Sequence, residues 1–193
     1  MKRYIRAAVK DITSEDLDTQ IALARDLNTD ARTLLKILDS DSRTARNWAL
    51  CNPNMPADVL REYAKSDNDQ VRSFVAANPS TPPDVLRRLS DDPWYNVEMQ
   101  VQANPNTPLD VLEERMNSVF DSKYERIAEN PNAPRSIYEK LLGKDNYFIH
   151  IRLAQNEGVP VDILQTLAND TNSDVRRHAR QTLTKLGYEE YDE

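Results

Sequence analysis

Residues 71–89 read VRSFVAANPSTPPDVLRRL, and the rest of the chain repeats them. The asparagine of this stretch, Asn78, recurs as Asn52, Asn104, Asn130 and Asn156 at intervals of 26 residues, and Asn28 marks an earlier, shortened copy. Proline follows at once in four copies: Pro53, Pro79, Pro105 and Pro131. A second proline lies four residues after the asparagine in five: Pro56, Pro82, Pro108, Pro134 and Pro160. An aliphatic-led pair comes next, Val59-Leu60, Val85-Leu86, Val111-Leu112, Ile137-Tyr138 and Ile163-Leu164. Several residue types held in register at one fixed period are the mark of a solenoid.

Each copy reads as two short helices. Core positions fall seven and three residues before the asparagine: Val71 and Val75, Val97 and Val101, Ile149 and Leu153. That spacing puts both side chains on one helical face. The following proline forbids continuation, so the first helix is predicted to stop at or just before Asn78 and its equivalents. Thr81-Pro82-Pro83-Asp84 and Thr107-Pro108-Leu109-Asp110 then predict a threonine N-cap, a proline at the first helical position and an acid completing a capping-box pattern. Asp58 and Asp162 hold the same place as Asp84 and Asp110. Helices of roughly eight to ten residues are marginal alone in water and persist by stacking on the next copy. The asparagines are expected to form an internal ladder, their amides satisfying backbone groups freed at the helix ends.

The pattern VR..VA.NP.TP..VL..L...D resembles the leucine-rich repeat variant, a relative of HEAT and armadillo repeats in architecture. The resemblance covers residues 20–183 and is strongest in the copies centred on Asn52, Asn78 and Asn104. It implies an all-α fold, a right-handed α-solenoid of about six two-helix repeats, with the second helix drawn toward 3₁₀ geometry. One described member of that family carries an iron–sulfur cluster on a cysteine-rich N-terminal segment. This chain has one cysteine, Cys51, inside a repeat, so that feature does not carry over and no cofactor is expected.

A chain of 193 residues, 39% of them hydrophobic, is expected to form one elongated domain. Its parts are a capping region at 1–19, repeats over 20–172, a last helix at 173–187 and an acidic tail at 188–193. Residues 1–12 form the first capping helix in this reading, with Tyr4, Ile5, Ala8, Val9 and Ile12 inward. No apolar run reaches membrane-spanning length, no signal-peptide pattern opens the chain, and a lone cysteine suits a reducing, cytoplasmic setting. The net charge is −7, of which Glu189, Glu190, Asp192 and Glu193 supply −4. The repeats therefore show neither the basic stripe of a nucleic-acid binder nor the acidic stripe of a DNA mimic.

Chemistry-bearing motifs are few. His150 and His178 have no ligand spacing around them, which leaves metal sites unsupported. Three glycines build no phosphate loop, and Cys51 has no evident histidine partner. No catalytic, cofactor-binding or metal-binding residue is assigned. The chain reads as a non-enzymatic repeat scaffold that binds a protein or peptide along a curved surface. One alternative is a nucleic-acid-binding or HEAT-like DNA-processing protein using Arg126, Arg152, Arg176 and Arg180; another is an inhibitor of a bacterial or phage system.

Positions six and five before the asparagine are expected to point away from the buried stripe, and they include Arg46, Arg72, Met99, Tyr124 and His150 as partner contacts. Trp94 and Tyr95, in the turn before the fourth unit, are further candidates. Four before the asparagine stand Trp48, Phe74, Gln100, Arg126, Arg152 and His178, either a binding strip or the edge of the core. The basic cluster Arg176, Arg177, His178 and Arg180 is read as a solvated end face in preference to an anion site.

Overall fold

The computed structural model describes residues 16–117 and 122–188. The expected capping helix at 1–12, the linker residues Val119 and Phe120, and the acidic tail from Glu189 lie outside them. Thirteen helices and no strand make up the described residues. The first helices of successive repeats are α1 (Leu17–Arg25), α3 (Arg43–Cys51), α5 (Asp69–Ala77), α7 (Tyr95–Ala103), α9 (Ser122–Ala128), α11 (Tyr147–Gln155) and α13 (Ser173–Lys185). The second helices are α2 (Ala31–Ile37), α4 (Ala57–Tyr63), α6 (Pro83–Leu89), α8 (Leu109–Met116), α10 (Arg135–Leu142) and α12 (Val161–Leu167). None of these helices is long and apolar enough to cross a membrane.

Contacts divide the chain into two units, Met1–Gln100 and Val101–Glu193. In the first, α1, α3 and α5 pack side on side, and Leu34, Ile37, Leu50, Leu60, Val75 and Leu86 are buried among them and their second helices. In the second, α9, α11 and α13 stack in the same way over a core of Ile127, Ile137, Tyr138, Ile149, Leu153, Leu164 and Leu183.

The asparagine ladder has a definite wiring. Asn78 Nδ2 donates to the carbonyls of Leu50 at 2.6 Å and Asn52 at 2.8 Å, which lie 28 and 26 residues back. Asn52 reaches Ala24 and Asp26, Asn130 reaches Gln102 and Asn104, and Asn156 reaches Ala128 and Asn130. Each amide oxygen accepts the backbone N–H two residues on, as Asn78 does from Ser80 at 2.7 Å. Within each unit the donor half of the amide thus ties a repeat to the one before, and the acceptor half sets the turn after its own helix. Five asparagines at this position are 0–8% exposed, so the bonds are shielded from water.

This wiring moves the origin of the first copy. The residue 26 before Asn52 is Asp26, which C-caps α1 and accepts the N–H of Asn28 at 2.9 Å. A carboxylate keeps the acceptor half of the asparagine's role, so the period holds and Asn28 is only the turn residue after it. At the other end, Thr182 stands 26 residues after Asn156 and donates to the Ala154 carbonyl at 2.7 Å. Leu183 replaces proline there, and α13 runs on for 13 residues.

The second-helix caps differ from the expectation. Pro82 and Pro108 take the N-cap position with no side-chain cap bond. The hydroxyls of Thr81 and Thr107 turn back to the Val75 and Val101 carbonyls, closing the end of the first helix instead. Asp84 and Asp162, freed from a capping box, pair with Arg61 and Arg135 of the preceding second helices. Those helices are α-helical rather than 3₁₀, with i→i−4 bonds such as Leu86 N–H to Pro82 O at 3.1 Å.

Candidate binding surface

Which faces of the first helices are free follows from the stacking. The position three before the asparagine is buried, and so, in Ala45, Val97 and Ile149, is the position seven before it, Val71 being half-buried; but so too is the position two before it: Leu50, Ala76, Gln102, Ala128 and Ala154 are at most 1% exposed. One turn earlier on that same side stands the position six before the asparagine. It therefore lies against neighbouring structure rather than solvent, contrary to the sequence expectation. Arg46 and Arg72 send a guanidinium N–H to the Ser40 and Ser66 carbonyls, Tyr124 sends its hydroxyl to Met116 O at 3.2 Å, and His150 Nε2 lies 3.0 Å from Leu142 O. Arg176 continues the series on Asp170 O at 2.8 Å. Met116 and Leu142 end their second helices, and Ser40, Ser66 and Asp170 lie in the turn just beyond theirs, so the series ties down carbonyls at the exit of the preceding second helix. The row of alanines two before the asparagine was the sequence signal for this second buried stripe.

Arg72 and His150 also reach forward by 20 residues, to Asp92 at 2.7 Å and to Asp170 at 2.8 Å. Burial pushes the Asp92 carboxyl up, but the Arg72 guanidinium and the Trp94 N–H outweigh it and hold it below the ordinary carboxylate range. Folded Asp92 therefore holds its proton less tightly than the unfolded chain does. The contribution of the pair is complete above about pH 4 and is lost as pH falls through that region. Arg72→Ala should lower the unfolding free energy by about 2 kcal/mol near neutral pH. In urea titrations the gap from the parent should narrow at low pH, and a gap that holds constant would refute the ion-pair account.

Of the remaining proposed contacts, Met99 is 9% exposed and Tyr124 is 4% exposed, so neither offers a surface. Trp94 and Tyr95 are open, at the start of α7. Tyr147 and Phe148 hold an analogous place at the start of α11, with ring centroids 4.0 Å apart. Of the seven proposed contacts, the structure leaves Trp94 and Tyr95 open.

The first unit gathers a different set. Asn47 on α3, Asp69, Gln70, Ser73 and Phe74 on α5, and Asn96 and Gln100 on α7 line a groove of about 400 Å³ across three successive first helices, Asp69 being its one charged residue. Trp48 continues the row of Phe74 and Gln100; it is 42% exposed and carries the Arg25 guanidinium 4.8 Å above its ring. Among the described residues, no hydrogen bond engages the side chains of Asn47, Gln70, Ser73, Asn96 or Gln100. The ladder asparagines, by contrast, are fully committed. Beside the groove, between α3 and α5, a smaller cavity of about 150 Å³ is walled by Leu50, Tyr63 and Val71 and bordered by Arg43 and Arg46.

The corresponding face of the second unit is built otherwise. Arg126 pairs with Glu129 at 2.6 Å, and Arg152 lies 3.2 Å from Glu129 and 3.7 Å from Glu125. The final helix shows a broad open depression lined by Arg176, Arg177, Arg180 and Lys185. There Arg180 occupies the position two before Thr182, where the earlier copies bury Leu50, Ala76 and Ala154. The stacking side of this helix thus carries a half-buried charged residue where those copies carry an apolar one.

Two further groups bear on chemistry. Burial pushes the Cys51 thiol up to about 11, away from the reactive thiolate. No group of three or more His, Cys, Asp or Glu side chains among the described residues is arranged to hold a metal ion.

A family model described as "Leucine rich repeat variant" matches residues 69–93. No curated protein matches the chain. A solved structure titled "A leucine-rich repeat variant with a novel repetitive protein structural motif" is 18% identical to it, over 88% of this chain and 67% of that one, with a TM-score of 0.44. Residues 69–93 are thus similar to a leucine rich repeat variant unit, and the described residues form a helical repeat array that includes them.

Proposed function

We propose that this chain is a non-enzymatic, cytoplasmic scaffold that binds a protein or peptide partner on the first-helix face of its first unit. The observation that carries the reading is the groove across α3, α5 and α7, where five polar side chains stand without hydrogen-bond partners among the described residues beside Phe74 and the exposed Trp48. Aromatic rings flanked by adaptable polar groups are what protein-binding surfaces use. Other features fit a scaffold. The only thiol is a poor nucleophile, and His150 is committed to Asp170 and Leu142. The nucleic-acid alternative is weakened, because Arg126 and Arg152 lie against Glu125 and Glu129 on their own face.

The reading is tested by panning displayed peptides and small folded domains on the full-length chain. Binders are expected whose affinity falls at least tenfold on Trp48→Ala, with the circular dichroism spectrum unchanged. If oligonucleotides at low salt bind while no protein or peptide does, the nucleic-acid reading replaces it.

A further inference from the structure

Resting on that reading, we infer that the groove of the first unit recognises the main chain of an extended, largely uncharged peptide whose one acidic side chain anchors beside α3. Four of its polar side chains are primary amides, Asn47, Gln70, Asn96 and Gln100. An amide side chain carries a donor and an acceptor, the same pair that each peptide unit of a partner presents. Polar groups recur at the repeat interval: Gln70 and Asn96 are amides in one register position, and the Asn47 amide is followed by the Ser73 hydroxyl in another. Packed helices lie about 8–10 Å apart, and an extended chain advances about 3.3 Å per residue. A strand laid across α3, α5 and α7 would therefore meet equivalent polar groups about every third residue.

The charge pattern narrows the occupant. Consider the positions nine, eight, five and four before each asparagine, which lie on the outer side of the first helices, Met99 alone among those of α3, α5 and α7 being buried. On α3, α5 and α7 these twelve residues include two charges, Arg43 and Asp69. Of the ten equivalents of the second unit whose side chains the structure describes, five are charged: Glu125, Arg126, Arg152, Asp174 and Arg177. A face nearly free of charge, in a chain with 30% charged residues, selects against a strongly charged ligand. The small cavity next to it supplies the exception. Leu50, Val71 and Tyr63 can cover the methylenes of a glutamate, with Arg43 and Arg46 at the edge for its carboxylate. Phe74 and Trp48 are placed to take apolar side chains that point the other way along the strand.

The probe is a phage-displayed library of random dodecapeptides, panned on the full-length chain. Enriched peptides should be rich in uncharged residues around one Glu or Asp. Synthetic versions should bind at least tenfold more weakly to Asn47→Ala/Gln100→Ala, and to Arg43→Ala when the acid is present. A depsipeptide carrying one ester in place of a central amide should lose affinity for the parent chain and not for the double variant. If enriched peptides bind both variants as well as the parent, the groove is not the site, although a peptide-binding scaffold survives. If ester substitution is without effect, main-chain recognition is wrong. If no peptide is enriched while folded domains are, the extended occupant falls and the scaffold reading stands. If neither is enriched, both fall.

Discussion

Asn130→Ala is expected to lower the unfolding free energy by about 3 kcal/mol, the sum of a lost ladder bond and buried groups left without partners. The wild-type amide serves three backbone groups at once: the carbonyls of Gln102 at 3.1 Å and Asn104 at 2.7 Å, and the N–H of Asn132 at 2.9 Å. The residue is 0% exposed, so water does not replace those bonds without opening the stack. Asn130→Asp separates the donor from the acceptor role. It keeps an oxygen for Asn132 but turns a second oxygen toward two carbonyls, and should cost at least as much near neutral pH. Burial among acceptors raises the pKa of such a carboxyl above its unfolded value. Its penalty should therefore shrink as pH falls and a proton restores one donor. Urea denaturation at two pH values measures both. An Asn130→Ala variant within about 0.5 kcal/mol of the parent would mean that the amide bonds are incidental.

Gly158→Ala should be nearly as damaging, at about 3 kcal/mol, through overpacking. A Cβ at this residue would lie 2.0 Å from Pro131 O, with the Pro131 carbonyl carbon at 2.6 Å and Cα at 2.7 Å. These are backbone atoms, so no rotamer change relieves the clash and the repeats must part. The equivalent residues elsewhere carry side chains that donate to the carbonyl 27 residues back: Asn54 to Leu27, Ser80 to Pro53, and Asn132 to Pro105. At Gly158 that acceptor is Pro131, and the two backbones meet directly. Gly158→Asn, which restores the residue type of the other copies, should therefore destabilise as well. Thermal unfolding of the two variants checks this; an Asn variant more stable than the parent would show that the close approach has slack.

The repeat itself was legible because proline and asparagine act locally. A proline after Asn78 ends α5 whatever surrounds it, and the spacing of Val75 and Leu86 gives two helices per unit. What escaped depends on neighbours. Thr81 looks like an N-cap in sequence, yet its hydroxyl finds the Val75 carbonyl across the turn. Arg72 and Tyr124 look like exposed binding residues when a helix is drawn with one buried stripe. A helix stacked on both sides has two, and the second faces a copy that the wheel does not contain. The groove was half legible: Trp48, Phe74 and Gln100 were seen as a row, while Asn47, Gln70 and Asn96 look like ordinary surface residues until the stacking brings them together.

The ladder also limits how this protein can change length. Asn52, Asn78, Asn130 and Asn156 find carbonyls 28 and 26 residues behind them, as Asn156 finds Ala128 and Asn130. Removing or adding a whole period between two such residues hands every amide an equivalent pair of acceptors. An insertion or deletion inside a helix of the span shifts donor against acceptor and leaves buried groups stranded, whereas one in an exposed turn can loop out. Genetic drift in length is thereby quantised: cassettes of 26 residues can be gained or lost by recombination, while small indels are tolerated only in exposed turns.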